Sequence, residues 1–257
     1  MQDREYRIMA EVEADHWWYR GLRDLIGRLL VAHGYTARSG LRVLDAGCGT
    51  GENLRMLGRM LRTEYLGGFD PSPLALDHAR RKAPAADVYA SDIRDPLFRA
   101  QCYDLVISCD VLYLTGFEAA REGMRRIVER MAPGGLLLVN LPAYEWLYSR
   151  HDVAIGTRQR FTATEVRQFL EPLGLEITLL TYRLFALFPA VVLARLPSML
   201  FRPREGEARS DLSLPSAWIG GCLTELLGWE NRLILRGVRF PWGSSVFAAA
   251  RRSPRLG

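Results

Sequence analysis

Short, continuous apolar runs alternate with amphipathic stretches along the first two thirds of the chain. The runs LRVLDA (41–46), YDLVISCD (103–110) and LLLVNLP (136–142) are bounded by glycine, proline or charged residues. Such runs are typical of strands that a parallel sheet buries on both faces. Between them, stretches such as ENLRMLGRML (52–61) repeat apolar residues at helical spacing. The alternation predicts an α/β fold with a mainly parallel sheet and right-handed helical crossovers.

The same pattern assigns most of the remaining chain. Residues 1–35 are predicted to be helical, and residues 184–240 are apolar, interrupted by prolines and predicted to be largely helical. The sequence PGG is predicted to form the turn before the fifth strand. The other predicted strands are 64–70, 86–92, 175–183 and 244–252, and the other predicted helices are 72–83, with Ser72 as its N-cap, 118–131, and 162–174, which Gly174 closes.

Composition narrows the class of protein. The 257 residues are 49% hydrophobic and 25% charged, which is enough for one sizeable folded domain and unlike a disordered chain. The opening residues mix charged and apolar types, so no secretory signal is predicted and a cytoplasmic location is expected. Because the cysteines form no C-x-x-C pair, we expect free thiols, no disulfide framework and no metal site; they are Cys48, Cys102, Cys109 and Cys222.

The net charge of +5 and the pI of about 9.2 raise the question of a nucleic-acid partner. Acidic residues are interspersed among the basic ones almost everywhere, whereas a surface for phosphates concentrates its arginines and lysines on one stripe. We therefore expect no nucleic-acid partner.

The stretch VLDAGCGTG carries the clearest chemical signal. Gly47, Gly49 and Gly51 follow Asp45 at the end of the first strand, where glycine allows a tight turn and lets a ligand touch bare backbone. A dinucleotide fingerprint counted from Gly47 would place its third glycine at Glu52, whose carboxylate would repel a pyrophosphate, and no P-loop lysine follows. The pattern favours a ligand without phosphate that places an uncharged or cationic group near Asp45, although a tight turn without ligand is the alternative.

This stretch resembles motif I of the class I S-adenosylmethionine-dependent methyltransferases. The resemblance covers about residues 40–182, through YDLVISCDVLYL and RMAPGGLLLVNLP, and resumes at the final strand. It implies a Rossmann-like, seven-stranded, mainly parallel sheet with helices on both faces, an antiparallel last strand and a helical insertion before it. It also implies S-adenosylmethionine as cofactor and S-adenosylhomocysteine as product.

The resemblance assigns roles to individual residues. Asp70 matches the acid that binds both ribose hydroxyls, where two carboxylate oxygens face a vicinal diol. Asp92 matches the acceptor for the adenine amino group, with Ile93 beside the ring. The cofactor-binding residues expected on this basis are Asp45, Gly47, Cys48, Gly49, Gly51, Asp70, Pro71, Asp92, Ile93, Cys109, Trp18 and Arg20.

The aromatic cluster DHWWYRGLRD near the start is interpreted as part of a lid over the cofactor. Helices before the first strand often take that place in this family, and Arg20 or Arg23 would then hold the methionine carboxylate. The alternative is a helix that packs on the sheet through its aromatic residues and leaves its arginines in water.

The segment YSRHDVAIGTRQRF (148–161), predicted as a loop, follows the fifth strand on the expected cofactor side. His151 is the candidate general base, oriented by the neighbouring Asp152, because its ordinary pKa suits proton removal near neutrality. A solvated polar loop is the alternative. Asp110 and Tyr113 are the reserve catalytic candidates, and the substrate-binding candidates are Arg158, Arg160 and Tyr144.

The apolar segment LFALFPAVVLA (184–194) has eleven residues, too few to span a bilayer, which needs about 20. It is interpreted as core or dimer surface, as the wall of an acceptor pocket, or as a membrane-surface element. Peripheral membrane contact or a homodimer through residues 184–201 is the corresponding partner hypothesis.

A single methyltransferase domain is expected. Its segments are a helical lid (1–38), a cofactor-binding core (40–183), a helical insertion (184–240) and the last strand (244–252). The resemblance extends to broad bacterial type-11-like methyltransferases that carry an N-terminal HWW, which implies a small, fairly apolar, lipid-linked or natural-product acceptor. Oxygen is the expected methylated atom. The alternatives are an N- or C-methyltransferase and a non-catalytic cofactor-binding sensor or subunit.

Overall fold

The structure is a computed structural model, and it describes residues 3–200 and 214–253. Residues 201–213, which fall inside the predicted insertion and include the end of the 184–201 segment, lie outside the described part. The strands are β1 (Ser39–Ala46), β2 (Arg62–Asp70), β3 (Asp87–Ala90), β4 (Tyr103–Cys109), β5 (Met131–Pro142), β6 (Leu175–Arg183) and β7 (Ser245–Arg252). The helices are α1 (Asp3–Val12), α2 (Trp17–Ala32), α3 (Glu52–Met60), α4 (Pro73–Lys82), α5 (Phe117–Glu129), α6 (Arg150–Ile155), α7 (Ala163–Leu170), α8 (Phe188–Leu200) and α9 (Ala217–Leu235).

The described strands form one seven-stranded sheet in the order β3-β2-β1-β4-β5-β7-β6. Strand β7 is antiparallel to both of its neighbours, and the other pairings are parallel. The predicted fold class is confirmed. The chain order reverses between β1 and β4, so a crevice opens beyond the carboxyl ends of these two strands, where open α/β sheets bind ligands.

Apolar side chains cover both faces of the sheet. Strand β7 illustrates the alternation, because Ala248 joins the core under α5 and α7 while Phe247 joins the core under α2, α3 and α4. Helix α9 lies on α2, and Gly21 permits the close approach, since a Cβ there would lie 2.4 Å from Leu227 Cδ1. Asn231 Nδ2 of α9 also donates to Gly21 O at 2.8 Å. The two long helices therefore pack as one unit at the edge of the cleft.

Local structure differs from the expectations in two places. The predicted turn around Gly134 lies inside β5, which begins at Met131 and passes through an irregularity where Gly134 has φ +73°. The predicted loop 148–161 contains the short helix α6, because Ser149 and Asp152 form a capping box in which Ser149 N donates to Asp152 Oδ2 at 2.8 Å. Ser72 caps α4 as predicted, accepting from Ala75 N at 3.3 Å.

Candidate active site

The three glycines of the turn after β1 have two roles: Gly47 and Gly49 shape the turn beside the cleft, and Gly51 allows two helices to pack closely. Gly47 has φ +87°, and a Cβ there would lie 2.3 Å from Val111 Cγ2, so only glycine fits between the turn and the end of β4. Gly49 has φ +51° and lies against the Met9 side chain of α1. Gly51 has φ +90°, and its missing Cβ leaves room for the Ala79 backbone, so this third glycine packs α3 against α4.

A cleft of about 1570 Å³ opens beyond the carboxyl ends of β1, β4 and β5. It extends from α1 and α2 across the glycine turn to α6 and α8. The predicted site residues that line it are Trp18, Gly47, Cys48, Gly49, Asp70, Pro71, Asp92, Ile93, Cys109, Asp110, Tyr113, His151, Arg158 and Arg160. One continuous space therefore joins the predicted cofactor residues to the predicted acceptor residues.

Four predicted residues lie away from the cleft wall. Asp45 is fully buried beneath the glycine turn, and Gly51 packs between helices. Arg20 is exposed and lines a separate groove of about 990 Å³ between α2, α3 and α9, whereas Arg23 lines the main cleft. Tyr144 stacks on Tyr182, with ring centroids 5.1 Å apart. Of the two arginines considered for the methionine carboxylate, the structure favours Arg23 by position.

Asp70 ends β2 and faces the cleft with both carboxylate oxygens engaged. Oδ1 accepts from Tyr6 Oη at 3.0 Å and from Ser72 N at 2.9 Å, and Oδ2 accepts from Gly49 N at 3.2 Å. Burial raises the pKa of this carboxyl above its ordinary value, and the hydrogen bonds offset only part of that effect. The glycine turn and the acid at the end of β2 are thus tied into one preformed wall.

Asp45 is a carboxyl without a partner. It is fully buried, and neither carboxylate oxygen has a hydrogen-bond partner among the described residues. Burial, followed by the nearby charges of Asp70 and Glu13, raises the pKa of Asp45 well above its ordinary value. Buried unpartnered polar groups are uncommon, and this one lies beside the turn that lines the cleft. A cationic ligand bound at the turn would stabilise the ionised form of this carboxyl.

The segment between α1 and α2 is fastened to the glycine turn. Glu13 accepts from the Thr50 hydroxyl and from the Lys82 ammonium. Lys82 Nζ also donates to a carbonyl of α1, that of Ala10, at 3.0 Å. Arg23 Nη2 donates to Glu13 O at 2.7 Å. These contacts hold the two N-terminal helices over the cofactor end of the cleft.

Asp92 follows β3, and its carboxylate is engaged by its near neighbour. Oδ1 accepts from both the backbone N and the Nε of Arg94 at 2.9 Å. The hydrogen bond from Arg94 lowers the pKa of Asp92 below its ordinary value, so this group is ionised and acceptor-only near neutrality. The family role of Asp92 towards adenine remains a prediction.

Beside the glycine turn, Asp110 follows β4 with φ +60°, a conformation that is uncommon outside glycine, asparagine and aspartate. Asn140 Nδ2 donates to its two carboxylate oxygens at 3.0 and 3.1 Å. Arg183 Nη1 donates in turn to Asn140 Oδ1 at 3.2 Å. Burial raises the pKa of Asp110 to about 7, against the lowering effects of Asn140 and Arg183.

Asp152 organises the segment that carries His151. Its carboxylate accepts from Arg160 Nε at 2.9 Å, from Ser149 N at 2.8 Å and from Arg195 Nη1 at 3.3 Å. Burial acts to raise the pKa of Asp152, but Arg160 and Arg195 outweigh it and hold the pKa below the ordinary value. Asp152 therefore serves as an ionised anchor for two arginines. The proposed pairing of Asp152 with His151 remains a prediction.

The two arginines predicted to bind the substrate, Arg158 and Arg160, differ in burial and in hydrogen-bond partners. Arg160 is buried and donates to Ala143 O at 2.7 Å as well as to Asp152, so it joins the end of β5 to α6. Arg158 is exposed at the cleft, and its backbone N donates to Tyr113 O at 2.9 Å. Arg158 is thus the better placed of the two predicted arginines to meet an anionic group.

Helix α8 separates the cleft from solvent. Val191, Ala194 and Pro197 line the cleft, and Leu193 and Leu196 are exposed apolar residues of the same helix. In the described ranges, no helix is both long and apolar enough to cross a membrane. No cluster of three or more metal-ligating His, Cys, Asp or Glu side chains occurs among the same residues. All four cysteines carry free thiols.

Several residues of the site were not found from the sequence. Tyr6, Glu13, Asn140 and Arg183 act through partners far away along the chain, such as Asp70, 64 positions from Tyr6. Asn140 alone left a signal, because it is the polar residue within the otherwise apolar run LLLVNLP.

The fold and the glycine turn define the class I methyltransferase architecture, and comparisons with known proteins agree. Residues 43–135 match the family described as "Methyltransferase domain". Trans-aconitate 2-methyltransferase of Variovorax paradoxus (strain S110) is 31% identical over 102 residues, which cover 39% of this chain and 38% of that protein. This chain therefore matches well under half the length of that curated relative.

Solved structures share the fold at low identity. Magnesium protoporphyrin IX methyltransferase (ChlM) of Synechocystis PCC 6803, with bound S-adenosylhomocysteine, has a TM-score of 0.55 and 17% identity, covering 91% of this chain and 84% of its own. The [4+2]-cyclase SpnF has a TM-score of 0.56 and 18% identity, covering 90% and 80%. The fold is that of the class I S-adenosylmethionine-dependent methyltransferases, residues 43–135 match a methyltransferase domain, and the resemblance noted in the sequence is confirmed. S-adenosylmethionine is the cofactor of this class, and methyl transfer is its reaction.

Proposed function

We propose that this protein transfers a methyl group from S-adenosylmethionine to an oxygen atom of a small, partly apolar acceptor. One observation carries the proposal: a single cleft joins the glycine turn and Asp70 to Asp110, His151 and Arg158. A donor and an acceptor bound in one enclosed space need no further encounter, and such alignment can contribute roughly 7–11 kcal/mol to a reaction.

The cofactor end suits S-adenosylmethionine in shape and charge. Asp70 would bind the ribose, Asp92 and Ile93 the adenine, and Arg23 the carboxylate of the methionine part. The buried, unpartnered carboxyl of Asp45 lies beneath the glycine turn and favours a cationic group above it, and Gly47 and Gly49 bring the turn to the cleft wall. When bound, S-adenosylmethionine supplies a methyl group on a positively charged sulfur. The side chains at this end would bind and orient S-adenosylmethionine.

The acceptor end combines charge with an apolar wall. Arg158, on the α6–α7 segment, and Arg195, on α8, come from different elements, and both face the cleft. Leu184, Val191 and Pro197 form the apolar side of the same space. An acceptor with an anionic group at one end and an apolar body would match both. His151 and Asp110 are the groups there that can take up a proton if the acceptor is a hydroxyl.

Calorimetry tests the cofactor assignment. S-adenosylhomocysteine should bind to the intact protein, and NAD should not. Asp70→Asn should weaken S-adenosylhomocysteine binding by about 1–3 kcal/mol, because it removes a charge-assisted contact. Asp77→Asn, which changes an exposed acid on α4, is the matched control. Unchanged affinity in a folded Asp70→Asn protein contradicts the assignment.

Radiolabelled S-adenosylmethionine tests the reaction. Label should pass to members of a panel of hydroxylated aromatic and aliphatic acids, which combine an anionic group, an apolar body and an oxygen nucleophile. Transfer only to amines or to carbon would overturn the choice of oxygen. Tight cofactor binding without transfer to any acceptor class would favour the non-catalytic sensor.

The outward faces of α8 and α9 suit an anionic lipid surface, with the protein on the cytoplasmic side. Trp218 and Trp229 are 78% and 62% exposed, and Arg232 and Arg236 lie exposed on the same side of α9 towards its end. Tryptophan and arginine together favour the interface of an anionic bilayer. Leu193 is an exposed apolar residue of α8, whose Val191 lines the cleft.

Liposome sedimentation tests this contact. Vesicles of phosphatidylglycerol and phosphatidylcholine should bind the protein more than vesicles of phosphatidylcholine alone, and a variant with Trp218→Ala and Trp229→Ala should bind less. Leu97→Ala, which removes an exposed leucine in the segment after β3, is the control. Equal binding to both vesicle types, or a lipid-independent dimer in light scattering that the double variant abolishes, would overturn the proposal.

A further inference from the structure

The carboxyl of Asp110 is fixed in one orientation by a single side chain. Both of its oxygens accept from Asn140 Nδ2, at 3.0 and 3.1 Å, and its backbone N donates to Asn140 O at 2.9 Å. Each carboxylate oxygen has a second lone pair, and Asp110 lines the cleft. The carboxyl is therefore held from the sheet side by one partner and remains open to a group in the cleft.

The orientation of Asn140 is itself determined. Asn140 is fully buried in β5, and its Oδ1 accepts from Arg183 Nη1 at 3.2 Å. Because the guanidinium can only donate, it selects the amide oxygen and leaves the amide NH₂ to face Asp110. A flip of the amide would set NH₂ against guanidinium and oxygen against carboxylate. Arg183 thus determines what Asn140 presents to Asp110.

Burial of the Arg183 guanidinium carries a large desolvation penalty. It is fully buried at the end of β6, and its Nε and Nη2 have no hydrogen-bond partner among the described residues. The nearby carboxylates of Glu230 and Asp110 favour its charge, while burial lowers its pKa. Glu230 accepts from Leu184 N at 2.6 Å, so it too is fixed. A buried cation with incomplete hydrogen bonding is a weak source of stability, which points to a role in the site.

We propose that Asn140 and Arg183 are positioning residues that hold Asp110 as the proton acceptor for a hydroxyl group of the methyl acceptor. This inference rests on the proposed methyl transfer to oxygen. As the acceptor oxygen forms its bond to the methyl carbon, the carbon–sulfur bond breaks and its electron pair stays on sulfur, which becomes neutral. The hydroxyl proton passes to a carboxylate oxygen of Asp110. Charge and atoms balance without another reactant.

Asp110 is better supported than His151 for this step. It lies directly at the end of β4 beside the glycine turn, since Val111, the next residue, packs on Gly47. His151 lies on α6, a separate short helix further along the cleft. The titratable and charged groups that interact with Asp110 or with Arg183 from the surrounding elements are Tyr19, Asp24, Cys109, Tyr113 and Glu230.

The hydrogen-bonded series Arg183–Asn140–Asp110 is called the relay below. A direct titration of Asp110 tests the relay without any methyl acceptor. Carbon-13 NMR of aspartate-labelled full-length protein would give the pKa of Asp110, with Asp110→Asn identifying its signal. Because Asn140 and Arg183 both favour the ionised form, Asn140→Ala and Arg183→Gln should each raise that pKa by about one unit or more. Thr178→Val is the control, since it removes a hydrogen bond elsewhere on β6. Asn140→Ser serves if the alanine variant fails to fold.

Steady-state kinetics adds a second measurement, with any hydroxylated acid of the panel that accepts the methyl group from radiolabelled S-adenosylmethionine. Asp110→Asn should lower kcat by about 10²–10⁴-fold with S-adenosylhomocysteine affinity unchanged. Asn140→Ala should lower kcat by about 10- to 100-fold and move the acidic limb of the pH profile to higher pH, in step with the measured pKa.

Two results would overturn the relay: an Asp110 pKa that stays the same in folded Asn140 and Arg183 variants, or full turnover by Asp110→Asn. Failure of the proposed function is separately visible, as absent cofactor binding or absent transfer by the wild-type protein.

Discussion

The raised pKa of Asp110 makes the stability of the protein depend on pH in a way that one substitution removes. The ordinary pKa of 3.8 becomes about 7 in the fold, so the folded state retains this proton over about three pH units in which the unfolded state has lost it. Stability from this group is complete below the ordinary pKa and is lost as the pH rises through about 7. At 1.36 kcal/mol per unit, the upper bound is about 4 kcal/mol.

Water that enters the cleft reduces this figure. Asp110 is partly exposed at the cleft wall, so its charged form is screened better than that of a fully enclosed carboxyl. We therefore expect wild-type protein to lose about 1–3 kcal/mol relative to Asp110→Asn between pH 5 and pH 8. Asparagine tolerates the positive φ at this position, so the variant should fold.

Urea unfolding followed by tryptophan fluorescence at pH 5, 6, 7 and 8 measures the difference directly. Histidines and other groups that titrate in this range contribute equally to both proteins and cancel. Asp77→Asn, at an exposed site, should show no comparable trend. A wild-type minus variant difference that stays within about 0.3 kcal/mol across the range would refute the assignment of a raised pKa to Asp110.

Three further changes have defined outcomes. Tyr6→Phe should strengthen S-adenosylhomocysteine binding by about 3- to 10-fold in calorimetry, because it frees a lone pair on the acid that ends β2; weaker binding would mean that the tyrosine contacts the ligand. Gly51→Ala should lower Tm clearly more than Gly134→Ala, since both have positive φ but only the first would collide with a neighbouring helix. Arg160→Met should destabilise the fold by about 3 kcal/mol at pH 7 in urea unfolding, and by less as the pH falls below the ordinary aspartate pKa of 3.8 and through the lowered pKa of Asp152; an equal loss at neutral and at strongly acidic pH would contradict this.

The sheet could be predicted because its buried strands are nearly uninterrupted apolar runs. The run LEITLLTYR was placed with its exact limits, and the strand ending at Asp70 with its functional end correct. The α6 helix could not be read from its sequence, because its start depends on a capping box and on the burial of Asp152 against arginines that come from other segments.

Site residues that lie in a short motif or at a strand end could be predicted from the sequence. Residues that reach the site from distant parts of the chain could not. Gly47, Gly49 and Asp70 follow strand ends, so the sequence pattern located them beside the cleft. Tyr6 reaches Asp70 only because α1 folds back over the sheet, and periodicity gives no indication of that path. Arg183 precedes the apolar segment 184–194, a place where a charged residue is expected in solvent, whereas its side chain turns inward to Asn140.

The position of β7 has a consequence for synthesis on the ribosome. This strand, residues 245–252, pairs with β5 on one side and β6 on the other, although both are made earlier. Until it emerges, β5 and β6 each present an unpaired edge in a nascent chain that already exposes apolar surface, a state open to wrong pairing and aggregation. Ser244 and Ser245, which border the cleft, also arrive only then. The cleft is therefore completed only after β7 has emerged, later than the strands with which it pairs.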